Sequence, residues 1–312
     1  MRTISFIFYA FFFFSASLSA DLLNWLKKAE GKSSIHRMRN IDFIYMINLD
    51  QRPEKYKQSS EELHRYGIFP YRFSAVNGWQ LPLEAINDVG LKCTVGMNQL
   101  LSTAYPIEMR GEPVHEYISK IGRAYFVHGF SKGSIGCALS HISVLKDAWD
   151  SNYETIWVLE DDIAALRDPN ILSDLIDKLD DLVGRGNWDV LFTDQDYRLS
   201  AGKYLVASGA TERPDMDCSI EARYAKRFTE NTQVSANFRK ISARFATHSM
   251  IIRRSGIEKL LKWFMGHQIY LPVDLENYLP PGIRRYTVMD DVVSNTLDAI
   301  TDNAIPTYTL QK

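Results

Sequence analysis

The run Phe43-Ile44-Tyr45-Met46-Ile47-Asn48-Leu49 constrains the fold more than any other stretch, because it has the length of a buried strand and not of a helix. After Asp50 comes a helical stretch with Pro53 near its start and Gly67 just past its end, the usual placing of these two residues at helix termini. Tyr71 to Val76 then reads as a second strand, closed by Asn77-Gly78. A strand–helix–strand unit of this kind is the seed of a parallel sheet. Further on, Ile135, Ala138, Leu139, Ile142, Leu145 and Trp149 recur at helical spacing from Ser134 onward. Thr155 to Leu159 is a buried strand that stops at Glu160-Asp161-Asp162, Asp189 to Thr193 a short strand, Phe245 to Ile252 another, and Gly256 to Phe264 a helix. Leu81 to Lys132, interrupted by Pro82, Pro106 and Pro113, is expected to form loops and short helices. The alternation of strands and helices predicts an α/β fold.

With 312 residues, 46% hydrophobic, the chain can bury a sizeable core and is not disordered. A net charge of −2 offers no electrostatic footprint for nucleic acid. Residues 1–20 join Arg2, an apolar stretch from Ile4 to Phe14 and the small-residue segment Ser15 to Ala20, the anatomy of a secretory signal peptide. The alternative is an uncleaved membrane anchor, although the stretch is shorter than the roughly 20 apolar residues a span needs. Cleavage implies export to a periplasm, a secretory lumen or the medium, and retention implies membrane association. Residues 21–40, polar and basic, are expected to be a linker, leaving 41–312 as a single domain. Cys93, Cys137 and Cys218 make no disulfide framework, and no CxxC or Cys/His ligand cluster points to a structural zinc site.

Glu160-Asp161-Asp162 is the most informative cluster. Open α/β sheets bind ligands beyond the carboxyl ends of their strands, and three adjacent carboxylates repel one another unless a cation compensates. A hard ion such as Mg²⁺ or Mn²⁺ would bridge them to a substrate diphosphate. The alternative is a solvated turn with a helix cap. Asp194-Gln195-Asp196 has the DxD spacing of a competing metal site, and Asp290-Asp291 reads as a helix cap.

Four ordered blocks resemble glycosyltransferase family 25, which includes bacterial lipopolysaccharide galactosyltransferases and collagen galactosyltransferases. They are Ile47-Asn48-Leu49-Asp50-Gln51-Arg52-Pro53, Gly136-Cys137-Ala138-Leu139-Ser140-His141, Val158-Leu159-Glu160-Asp161-Asp162, and Ala246-Thr247-His248-Ser249-Met250 with Gly256, Lys259-Leu260-Leu261 and Pro272-Val273-Asp274. The chain departs from the family pattern at Ser134, where an acidic residue is usual, at Ala246, where the family has Gly, and at Met250, where it has Tyr. The second Arg of the opening block is also replaced, with Lys55 and Lys57 nearest.

The resemblance implies a GT-A-type nucleotide-sugar transferase fold, with a mostly parallel central sheet flanked by helices. It implies transfer of a sugar such as galactose from a UDP-sugar to an acceptor hydroxyl on a glycan, lipopolysaccharide or protein. Mn²⁺ or Mg²⁺ would sit on Glu160 and Asp162, with His248 as a further contact. Asn48, Leu49, Asp50, Arg52, His141 and Asp161 would meet the donor. Asp274 is the candidate base, with Asp194 in reserve. Each has a bland counterpart: Arg52 as an exposed helix charge, His141 as a packed residue, Cys137 as core, Asp274 as a loop-to-helix cap. Two other classes stay open, a metal-dependent phosphohydrolase and a catalytically silent nucleotide- or sugar-binding module.

Overall fold

Strand β1 (Phe43–Asn48) is buried at every position. Its alternate side chains enter two cores, with Phe43, Tyr45 and Ile47 on one face and Ile44 and Met46 on the other. A strand covered on both faces needs an unbroken apolar run and not alternation, which explains the opening block. The computed structural model describes residues 21–309, so the expected leader at 1–20 lies outside the described residues. Among those described, no helix is long and apolar enough to cross a membrane.

From β1 the chain continues through α1 (Pro53–His64), β2 (Tyr71–Ser74), α2 (Leu83–Val89), β3 (Leu91–Lys92), β4 (Leu101–Ala104), β5 (Val114–Tyr117) and β6 (Ala124–Val127). Next come α3 (Lys132–Asp150), β7 (Thr155–Glu160), β8 (Ile163–Ala165), α4 (Ile171–Val183), β9 (Val190–Phe192), β10 (Tyr197–Arg198) and β11 (Tyr204–Leu205). The last third holds α5 (Ile220–Arg223), α6 (Lys226–Thr229), β12 (Asn231–Gln233), β13 (Phe238–Ile241), β14 (Ser249–Arg253), α7 (Arg254–His267), α8 (Val273–Glu276), β15 (Arg285–Val288) and β16 (Val293–Asn295).

The central sheet has eight strands in the order β12-β13-β15-β9-β14-β7-β1-β2. Strands β2, β1 and β7 pair in parallel, as do β9 and β15. Strand β14 runs against both β7 and β9, and β13 against both β12 and β15, so six of the eight strands point the same way. Helix α3 covers one face with Ile135, Leu139 and Ile142, and α7 joins it with Ile257, Leu260 and Phe264. Helix α4 covers the other with Leu172, Ile176 and Leu179. These layers make the α/β fold that the sequence predicts. The chain places β2 on one side of β1 and β7 on the other, so the strand order reverses there. A crevice opens at the carboxyl ends of strands at such a reversal, which is where open α/β sheets take ligands.

Four local expectations are corrected. Segment 81–132 is not only loops and short helices, because it also builds an antiparallel sheet of order β3-β6-β4-β5. Its strands are two to four residues long, too brief to show a period. Segment 21–40, expected as a linker, packs on the domain. Leu22 enters the core, Trp25 Nε1 donates to Asp88 at 3.0 Å and the Lys27 amide to Ser143 Oγ at 3.0 Å. The late strand begins at Ser249 and not near Phe245, because Ala246 turns the backbone with φ of 64°. Asp291 caps no helix; it accepts from the Gln195 amide at 2.8 Å and the Tyr204 hydroxyl at 2.6 Å.

Candidate active site

The carboxyl ends of β1 and β7 lie side by side, with Ile47 paired to Glu160. Asn48 Nδ2 donates to Asp161 Oδ2 at 2.6 Å and to the Arg52 carbonyl at 2.8 Å, while Arg72 Nε donates to Asn48 Oδ1 at 2.8 Å. The asparagine therefore ties the β1 turn to the acidic triplet. Gly136 in α3 lets the helix start press against the turn after β2, because a Cβ there would stand 2.4 Å from the Gly78 nitrogen. That close approach brings Cys137 and His141 to the end of β7. Three recesses surround the triplet. One is lined by Asn48, Leu49, Trp79, His141 and the triplet itself. Another is lined by Glu160, Asp162, Thr247, His248 and Asp274, and a third by Arg52, Lys55, Asp161 and Asp162. Of all these residues, Asp162 alone borders all three.

Glu160 Oε1 accepts from Thr247 Oγ1 at 2.6 Å and lies 3.0 Å from His141 Nε2. Burial opposes its ionisation, but the hydrogen bond and charge of His141 outweigh burial and hold the carboxyl down at about 2. Burial pushes Asp161 up to about 6. The same effect, reinforced by the charge of Glu160, pushes Asp162 up to about 7. Asp162 Oδ1 is buried with no hydrogen-bond partner among the described residues. An orphaned carboxylate oxygen among like charges is the environment a hard cation relieves, so the residues present fit Mn²⁺ or Mg²⁺.

The other candidates divide. His248 is buried, with Nε2 at 2.6 Å from Asp194 Oδ2 and Nδ1 without a partner. Burial lowers its pKa, yet Asp194 raises it further, for a net upward shift. Asp194 does not stand open as a base. It is fully buried, one oxygen pairs with Arg244, and the other accepts from His248 and from Ser294 Oγ at 2.8 Å. Burial opposes its charge, but Arg244 and His248 keep it below the usual carboxylate range, which makes it a weak proton acceptor. Asp196 lies buried beside it. Asp274 accepts from the Ala246 and Leu275 amides at 2.9 and 3.0 Å and borders the same recess as Glu160 and Asp162. Burial raises its pKa despite these backbone bonds. It both caps a turn and faces the cleft.

Asp50 turns away from the acidic triplet, accepting from Arg72 at 2.9 Å and Ser74 Oγ at 2.8 Å. Arg52 is not an exposed helix charge. It is buried, with Nε 3.1 Å from Asp302 and 3.2 Å from Glu54. Asp302 belongs to a C-terminal strap that crosses the cleft. The Thr296 amide donates to the Asp162 carbonyl at 2.6 Å, and Trp79 Nε1 to the Asp302 carbonyl at 2.9 Å. Trp79 and Asp302 are isolated side chains brought in by tertiary packing, which no short pattern marks. Lys55 carries a signal as the basic residue near the place of the missing Arg, and Thr247 only as a member of the fourth family block.

The family described as "Glycosyltransferase family 25 (LPS biosynthesis protein)" matches residues 41–276. A "Glycosyltransferase 25 family member" of Aedes aegypti is 29% identical over 152 residues, 49% of this chain and 21% of that protein. Its namesake in Anopheles gambiae is 25% identical over 177 residues, 54% of this chain and 26% of that protein. One from Drosophila melanogaster is 27% identical over 142 residues, 46% and 19% respectively. The matches thus span about a quarter or less of these relatives. The family match covers both ends of the crevice, from the opening strand to α8, and the chain belongs to glycosyltransferase family 25.

Proposed function

We propose that this chain is a glycosyltransferase that moves a hexose, galactose first among the candidates, from a UDP-sugar to an acceptor hydroxyl on a glycan, lipopolysaccharide or protein. The observation that carries the reading is the position of Asp162, at the meeting point of three recesses with a buried, unpartnered oxygen. Asp162 and Glu160 would hold Mn²⁺ or Mg²⁺, with Asp161 and His248 close by, and the ion would supply positive charge to the departing diphosphate. Asn48 orients Asp161, and Lys55 lends a cation to the donor side. Asp274, on the other side of Asp162, takes the acceptor proton in an inverting transfer, and its raised pKa suits a base. The leader-like residues 1–20 favour export, which N-terminal sequencing of the mature protein tests.

The product of a donor-only reaction tests the chemistry. With Mn²⁺ and a panel of UDP-hexoses but no acceptor, a transferase releases UDP and free hexose slowly by transfer to water. Inorganic phosphate as the product would identify a phosphohydrolase, and no turnover would leave a silent binding module. Asp274→Asn then separates acceptor from donor chemistry. Transfer is expected to fall by about 10²–10⁴-fold while Mn²⁺-dependent UDP-sugar binding survives. Loss of donor binding in step with a large drop in melting temperature would make Asp274 a structural cap.

A further inference from the structure

Cys137 and His141 lie four positions apart on α3 and share one face of it. The end of β7 presents Glu160 to that face. One donor atom from each of the three residues, a thiol sulfur, an imidazole nitrogen and a carboxylate oxygen, lies within 4.8 Å of the other two. His141 Nε2 and Glu160 Oε1 are 3.0 Å apart, so the ring and the carboxylate already converge. Thr247 Oγ1 donates to the same carboxylate oxygen at 2.6 Å and fixes its direction, the role that outer hydrogen bonds play around metal ligands. His141 is nearly fully buried, while all three residues border the same recess, which gives an ion a way in.

We propose that Cys137, His141 and Glu160 form a binding site for a borderline-soft divalent ion of the Zn²⁺ class. The donor set decides the class. Mg²⁺ and Mn²⁺ prefer all-oxygen shells, whereas one sulfur, one nitrogen and one oxygen suit a tetrahedral ion whose fourth position is left to water or a substrate oxygen. The thiol releases its proton to solvent as the sulfur–metal bond forms, and no electron is transferred. The site does not depend on the transferase reading. It shares Glu160 with the hard-ion set, so an ion held here withdraws a ligand from that set.

Cobalt titration of the full chain tests the site without any activity assay. Co²⁺ bound to a thiolate gives a charge-transfer absorption in the near ultraviolet, and the titration is expected to saturate at one equivalent and to be reversed by Zn²⁺, which such sites bind more tightly. Cys137→Ser should abolish the band with the circular dichroism spectrum unchanged. His141→Gln should weaken cobalt binding at least about tenfold. Asp162→Asn should leave the band in place, which separates this site from the hard-ion reading. The proposal is overturned by the absence of a saturable band in the wild type. It is equally overturned by a band that persists in Cys137→Ser, which would place the thiolate at Cys93 or Cys218, or by His141→Gln binding cobalt as tightly as the wild type.

Discussion

Asp162 concentrates the electrostatic cost of the site in one side chain. Burial and the neighbouring Glu160 raise its pKa from 3.8 to about 7, so the folded state holds a proton that the unfolded chain releases across that window. With this carboxyl raised in the folded state, the protein loses stability as pH rises from 3.8 through about 7. Asp162→Asn stays neutral throughout. Without divalent ions, its melting temperature should therefore gain on that of the wild type across this range, and a constant difference would contradict the assignment. Ala246 carries a different local cost. Its φ of 64° falls in the left-handed region where a Cβ is crowded, at the position where the family pattern has Gly. Ala246→Gly should stabilise the protein by about 1 kcal/mol in urea unfolding. Destabilisation would show that the methyl group packs favourably enough to offset the strain.

At the scale of elements, the short helix α8 is the least self-sufficient part of the site, since four residues cannot hold a helix on their own. Its anchor is Glu276, fully buried, which accepts from Trp263 Nε1 at 2.7 Å and from the Leu271 amide at 2.9 Å. Glu276 also lies 3.3 Å from the buried guanidinium of Arg213. These bonds fix the helix that carries Asp274 into the cleft. Arg213 would keep Asp215 at 2.6 Å, but without Glu276 the buried Trp263 Nε1, the Tyr270 and Leu271 amides and Arg213 Nε lose their acceptor, so Glu276→Ala should cost about 3–5 kcal/mol. Glu258→Ala, which breaks an exposed helix pair with Lys262, should cost less than about 1 kcal/mol. Chemical denaturation of both variants checks the contrast, and equal losses would show that Glu276 holds no special place.

For the molecule as a whole, the parts of the fold legible in the sequence are those whose cause is local. The run from Phe43 to Asn48 and the helical spacing from Ile135 to Leu145 both report burial, and both elements stand where expected. The reversed direction of β14, the small sheet in 81–132 and the packing of 21–40 depend on contacts between distant segments, so no short pattern carries them. The site divides in the same way. Glu160, Asp161 and Asp162 are consecutive and therefore visible, whereas the pairing of Asp194 with Arg244 and His248, and of Arg52 with Asp302, forms only on folding. The meeting of Cys137 and His141 with Glu160 was hidden for the same reason, because its third member arrives on a strand. The reversal of strand order between β1 and β7 places Asp162, the carboxylate proposed to hold the ion, at the mouth of the crevice. The most direct test of that role is the rate of Mn²⁺-supported UDP release from a UDP-hexose by the wild type and by Asp162→Ala. The expected loss is about 10²–10³-fold with the melting temperature not lowered, and near-normal turnover in Asp162→Ala would contradict the assignment of the ion to Asp162.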